Sequence, residues 1–261
     1  MENKINTKKI AIIASGWHYP LHFYKSMTEQ ALPEGWEAEM FCVAHRDPRH
    51  SKAKDYIKTL GEGLREDLDR KLYDKIATKK DIKELGWNYK LYPNTIGDWG
   101  NANQWLEENN YKDYDVLFIT HDDNFIINNT FIYSVLESKD WDIITNSTGM
   151  PPGYLRGSCE FFKKEVIEKI GGKFDLSEVK LTREGKTDNP NREGLLDWNN
   201  TVFPLMKQIQ KYDFKVSALS PCYRVSMFCI EGERGFISQT HGINTAYEEQ
   251  GLKVLKDNNL I

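Results

Sequence analysis

Asp122 and Asp123 stand side by side where a short apolar run, Val116-Leu117-Phe118-Ile119, gives out, with His121 before them and Asn124 after. Four bulky or β-branched residues are too few for a helix and suit a fully buried strand. Two carboxylates at the end of such a strand repel each other, and burying either one unpaired is costly. A divalent cation with oxygen ligands relieves that conflict, and it implies a ligand that brings phosphates of its own. Capping a helix or solvating a turn would use the same two residues, so the pair takes its meaning from its company.

Ser15-Gly16 closes a first apolar run, Lys9 to Ala14, and Arg46-Asp47-Pro48 closes a second, Glu37 to Ala44. The segment Pro93 to Asn103 holds Gly97, Gly100 and Asn101 among turn formers ahead of a helix. Glycine allows close backbone approach to a ligand, and a helix N-terminus favours an anion. A second glycine-rich loop, Gly149 to Ser158, carries Arg156, which either clamps a phosphate or pairs with a surface acid. Asp197, in Leu196-Asp197-Trp198, stands where a helix cap would; it is also a carboxylate placed to accept a proton. His241 follows late in the chain, one of six histidines. No GxGxxG follows the first strand and no GxxxxGK[ST] occurs, which removes the main support for dinucleotide and P-loop readings.

These residues need a frame. The predicted order is strand 9–14, helix Pro20 to Ala31, strand Glu37 to Ala44 and a charged helical stretch over 52–86 with apolar residues every four. A strand near Tyr89–Tyr92, a helix at Ala102–Glu108 and the acidic strand at 115–120 follow. Next come a strand at Asp142–Thr145, a helix at Lys163–Ile170, and a final helix and strand over 199–211 and 213–218. Strands alternating with helices predict an α/β fold with a mostly parallel sheet, in which ligands sit at the carboxyl ends of the strands. Ser15-Gly16, Arg46-Asp47 and His121-Asp122-Asp123 all fall on that rim. The 261 residues, net charge of −4 and mean hydropathy of −0.63 suit one soluble globular domain and argue against a generic polyanion binder. No apolar stretch is long enough to span a membrane. Four cysteines without CxxC spacing read as free thiols, which predicts a cytoplasmic protein.

In their order, these pieces resemble a nucleotide-sugar-dependent glycosyltransferase of the GT-A fold, closest in pattern to glycosyltransferase family 2. The resemblance runs from Lys9 to about His241: a Gly/Asn turn and helix, a strand ending in a DxD-type motif, and a glycine-rich loop leading into Phe161-Phe162-Lys163-Lys164-Glu165. An acid opening a helix and a late histidine complete it. The resemblance implies a Rossmann-like central sheet flanked by helices, with a helical insertion after the second strand. It divides a single catalytic domain into a donor part over about 8–147, an acceptor part over about 148–242 and a tail over 243–261. Asp123, with His241 and His121, would hold Mn²⁺ or Mg²⁺. Ser15, Gly16, Asp47, Gly97, Asn101, Asp122 and Arg156 would bind the donor, with Asp47 on the base and His45 and Arg46 as alternatives. Asp197 would be the base of an inverting transfer to an acceptor hydroxyl. His121 stands where the pattern has an acid, and Leu196 replaces another. The donor would be a UDP-, GDP- or dTDP-sugar, and the acceptor a glycan or other hydroxyl compound, nucleic acid included. The rivals are a sugar-phosphate nucleotidyltransferase and a catalytically silent binding protein that keeps the fold.

Overall fold

The computed structural model describes residues 7–16, 19–45, 47–48, 76–93, 97–122, 124–126, 129–145, 155, 159–178, 205–218, 223–224, 228–231 and 236–239. Strand β1 (Lys8–Gly16) is buried on both faces from Ile10 onward, as its unbroken apolar run requires. It pairs in parallel with β2 (Trp36–Ala44) on one side and β4 (Val116–His121) on the other. Outside β2 lies β3 (Asn88–Leu91), also parallel. Beyond β4 comes β7 (Cys159–Lys163), antiparallel both to β4 and to the next strand, β6 (Ile143–Thr145), and then β8 (Val216–Ala218), parallel to β6. The seven-stranded order is thus β3-β2-β1-β4-β7-β6-β8, a mixed, mostly parallel sheet as the sequence predicts.

Side chains alternate across the sheet and build a core on each face. Ile10, Ile12, Val116, Phe118 and Phe161 enter one core, covered by α1 (Leu21–Thr28) and α4 (Phe131–Leu136). Ala11, Ile13, Leu117, Ile119 and Phe162 enter the other, covered by α3 (Gly97–Glu108) and α5 (Lys164–Lys169). A further short helix, α2 (Lys79–Glu84), opens on a capping box in which Thr78 and Asp81 bond each other's backbone N–H.

The chain leaves this sheet at His121 and enters a second one at Asn124. There β5 (Asn124–Ile126) pairs with β11 (Phe236–Gln239), followed by β10 (Phe228–Glu231) and β9 (Tyr223–Arg224). The acidic motif is therefore the junction between two sheets, a role its sequence does not announce.

Several predicted boundaries move for physical reasons. The first helix stops at Thr28 rather than Ala31, because the chain beyond is drawn toward α4: the Gln30 side chain accepts Ile132 N–H, and Ala31 N–H donates to Asn129. Helix α3 starts at Gly97, five residues before its predicted start. Two glycines in a helix cost about 1 kcal/mol each. Burying Trp99 against Phe174, ring centroids 4.6 Å apart, returns about 2–3 kcal/mol. Residues 159–163, between the glycine-rich loop and the body of the predicted helix, form β7, since Phe161 and Phe162 feed opposite cores. Helix α5 ends at glycine, in a Schellman motif: Gly172 N–H donates to Ile167 and Gly171 N–H to Glu168, with φ of 85° and 91°. The predicted helical stretch over 52–75 lies outside the described residues.

Candidate donor-binding site at the strand ends

Strands β1, β2 and β4 run in parallel, so their carboxyl ends share one rim. Ser15 lies beside His121 and Gly16 beside Ala44 in the register. His121 and Asp122 are consecutive and point to opposite faces of the sheet.

On the α3 face, His121 Nε2 is 2.9 Å from Asp98 Oδ2, with both side chains a little over a quarter exposed. Asp98 is the second residue of α3, where an acid also suits the positive end of the helix dipole. Burial works against its ionisation, but the charge and hydrogen bond of His121, with help from His45 and the Ser15 hydroxyl, hold the carboxyl at about 2. Three strand ends thus converge on one helical carboxylate. One turn further along the same helix face is Asn101, only 1% exposed. Neither its Oδ1 nor its Nδ2 meets a hydrogen-bond partner among the described residues. Further along the rim, Glu160 on β7 is fully buried and accepts from Cys159 N–H at 3.1 Å and the Thr145 hydroxyl at 3.5 Å.

On the α1 face, Asp122 is fully buried. Its Oδ2 accepts the Tyr19 N–H at 2.7 Å and the Tyr24 hydroxyl at 3.2 Å, and that hydroxyl lies 3.3 Å from Cys42 Sγ. Burial, with Cys42 and Asp122 nearby, pushes the Tyr24 phenol well above its ordinary value, and burial pushes the Cys42 thiol up. Both groups therefore stay neutral while the carboxylate accepts. Gly16 is required here, because a Cβ would come within 2.8 Å of the Tyr19 ring and 3.0 Å of Cys42 Sγ.

Of the sequence-predicted residues, Ser15, Gly16, Gly97, Asn101, His121 and Asp122 gather at this rim, and Asp47 follows the end of β2. Gly97 is the first residue of α3 rather than part of a loop before it. Asp123, Arg156, Asp197 and His241 lie outside the described residues. Among the described residues no group of three or more His, Cys, Asp or Glu gathers as a metal site. Sequence reasoning missed Asp98, Tyr19, Tyr24 and Glu160. The position of Asp98 after a helix-starting glycine was its one available signal.

No protein-family model matches the sequence, and neither does any curated relative. Solved structures do match. The S. aureus TarS structure superimposes with a TM-score of 0.51 at 12% identity, covering 96% of this chain and 43% of TarS. A structure of TarS 1–349 in complex with UDP gives 0.50 at 11% identity, covering 97% of this chain and 65% of that one. This chain thus spans less than two thirds of the length of either. The architecture is the GT-A fold of glycosyltransferases.

Proposed function

We propose that this chain binds a nucleoside-diphosphate sugar at the β1–β2–β4 rim and transfers the sugar to an acceptor hydroxyl. The observation that carries this reading is Asn101. A buried side-chain amide with no partner on either atom is costly, and at the ligand-binding rim of an α/β sheet it calls for a hydrogen-bonding ligand. The likeness to TarS, one structure of which holds UDP, supports a nucleotide there.

His121 and Asp98 form the flanking wall of this site, with His121 Nε2 facing the Asp98 carboxylate. Asp122 is committed to internal bonds. The resemblance gives the cation-holding role to Asp123 with His241 and His121, a carboxylate–imidazole set that suits Mn²⁺ better than Mg²⁺. Gln239, the last residue of β11, stands two positions before His241 in the sequence, and β11 pairs with β5 next to the acidic junction, with Ser238 opposite Asn124. A bound divalent ion would offset the charge that develops on the departing diphosphate. Asp47 is assigned to the base and Arg156 to the phosphates. Asp197 is the general base, which gives inversion at the anomeric carbon. No described helix is long and apolar enough to cross a membrane, and the buried thiols of Cys42 and Cys159, in no disulfide, suit a reducing cytoplasm.

The test is thermal unfolding with UDP, GDP and dTDP, each with and without Mn²⁺, on wild type, Asn101→Ala and Asp123→Asn. Ligand at a hundred times its dissociation constant adds about 2.7 kcal/mol. A shift with one nucleotide, weakened by Asn101→Ala and stripped of its Mn²⁺ dependence by Asp123→Asn, is the expected result. Absence of any shift would overturn the donor site. Binding without transfer or donor hydrolysis would leave a nucleotide-sugar-binding protein.

A further inference from the structure

Asp122 deepens the donor reading, and rests on it, in a way that the acidic motif alone does not suggest. We infer that Asp122 is a positioning residue: its buried carboxylate latches the β1–α1 connection to the tip of β4, so that the loop and the acidic junction hold one geometry around the donor. It acts through Tyr19 and Tyr24 and does not touch the donor.

Three features carry this. Tyr19 has φ of 57°, the left-handed region that a bulky residue rarely occupies, and its N–H is the group that Asp122 Oδ2 accepts at 2.7 Å. Tyr19 O also accepts Ala77 N–H at 2.7 Å, so both of its backbone polar groups are tied to distant segments. The second bond to Oδ2 comes from Tyr24, whose ring stacks on Tyr19 at 6.4 Å and meets Trp87 edge-on at 5.0 Å. Its hydroxyl reaches Cys42 on β2, so the latch joins β1, α1, β2 and β4. Finally, the fit beneath the loop is tight enough to demand Gly16. His121, immediately before, faces α3 instead. The tip of β4 is pinned from both sides, and the orientation of the junction that follows is fixed by a residue pointing away from the site.

The experiment compares wild type, Asp122→Asn and Tyr24→Phe by peptide hydrogen exchange over residues 16–24 without ligand, and by titration with UDP and Mn²⁺. Tyr24→Phe keeps the buried ring and removes only the hydroxyl, so it folds even if Asp122→Asn does not. In the expected result both variants speed exchange in this segment while β6 and α5 keep wild-type protection. Both weaken UDP, Asp122→Asn by about tenfold, the scale seen when a supporting hydrogen bond behind a ligand site is lost. Unchanged exchange in the segment would overturn the latch, and so would a uniform loss of protection with UDP affinity intact. If Asp122→Asn abolishes Mn²⁺ dependence while Tyr24→Phe is silent, Asp122 touches the donor directly and the positioning role is wrong. A wild type that binds none of UDP, GDP and dTDP overturns the donor reading separately, and exchange alone then decides the latch.

Discussion

At the tip of β4, polar groups on the α1 face are bonded to one another, whereas on the α3 face one of them, Asn101, meets no hydrogen-bond partner among the described residues. Asp122, Tyr19, Tyr24 and Cys42 form a network that is buried throughout. Across the strand, His121 and Asp98 keep partial contact with solvent, and Asn101 lies buried with both amide atoms unsatisfied among the described residues. Fully satisfied buried networks rigidify a fold, while an unsatisfied one holds binding energy in reserve for a ligand. The same strand end is thus support on one side and the proposed donor site on the other, and the two sides should answer mutation differently.

The largest effect is expected where the network is complete. Asp122→Ala strands the Tyr19 N–H and the Tyr24 hydroxyl in a dry interior and should cost about 3 kcal/mol in urea unfolding. A loss below about 1 kcal/mol would show that water reaches the α1 face, and the contrast between the faces would collapse. Asp98→Asn probes the other side and should cost less, about 2 kcal/mol, because the pair it breaks is partly solvated. The pH dependence separates the two. The folded Asp98 carboxyl sits at about 2 against an ordinary 3.8, so its contribution is complete above about pH 4 and is lost as pH falls toward 2. In Asp98→Asn the unfolding free energy should therefore fall less steeply between pH 4 and 2 than in wild type. Parallel profiles would mean that His121 does not hold Asp98.

Strands β1, β2 and β4 of the central sheet were legible because they carry apolar runs that end in polar breaks. Lys9–Ala14, Glu37–Ala44 and 115–120 fall within two residues of β1, β2 and β4. The second sheet was not, since β5, β9, β10 and β11 are two to four residues long and carry no period of their own. The gathering of Ser15, His121 and Asp122 at one rim, with Asn101 on the helix beside it, was legible, because parallel strands bring their ends together. Their division of labour was not: which face Asp122 takes depends on strand parity and on Tyr24, 98 residues away in sequence. Asp98 escaped notice because its partners, His121 and Ser15, come from two other strands.

The smallest effect gives the contrast its baseline. The Thr78 side chain caps α2 by accepting Asp81 N–H at 3.2 Å, while the Asp81 carboxylate accepts Thr78 N–H at 2.7 Å. This box is exposed and lies on neither wall of the site. Thr78→Ala should cost about 1 kcal/mol, as cap removal generally does, and leave UDP affinity unchanged. That loss is global in the sense that any weakening of the fold is global. If it nevertheless lowered UDP affinity as much as Tyr24→Phe, binding would be tracking overall stability, and the α1-face network would be one more stabilising contact. If UDP affinity ignores Thr78→Ala and responds to Tyr24→Phe, the response belongs to the loop that Tyr24 and Asp122 hold, and support and site remain separable by mutation.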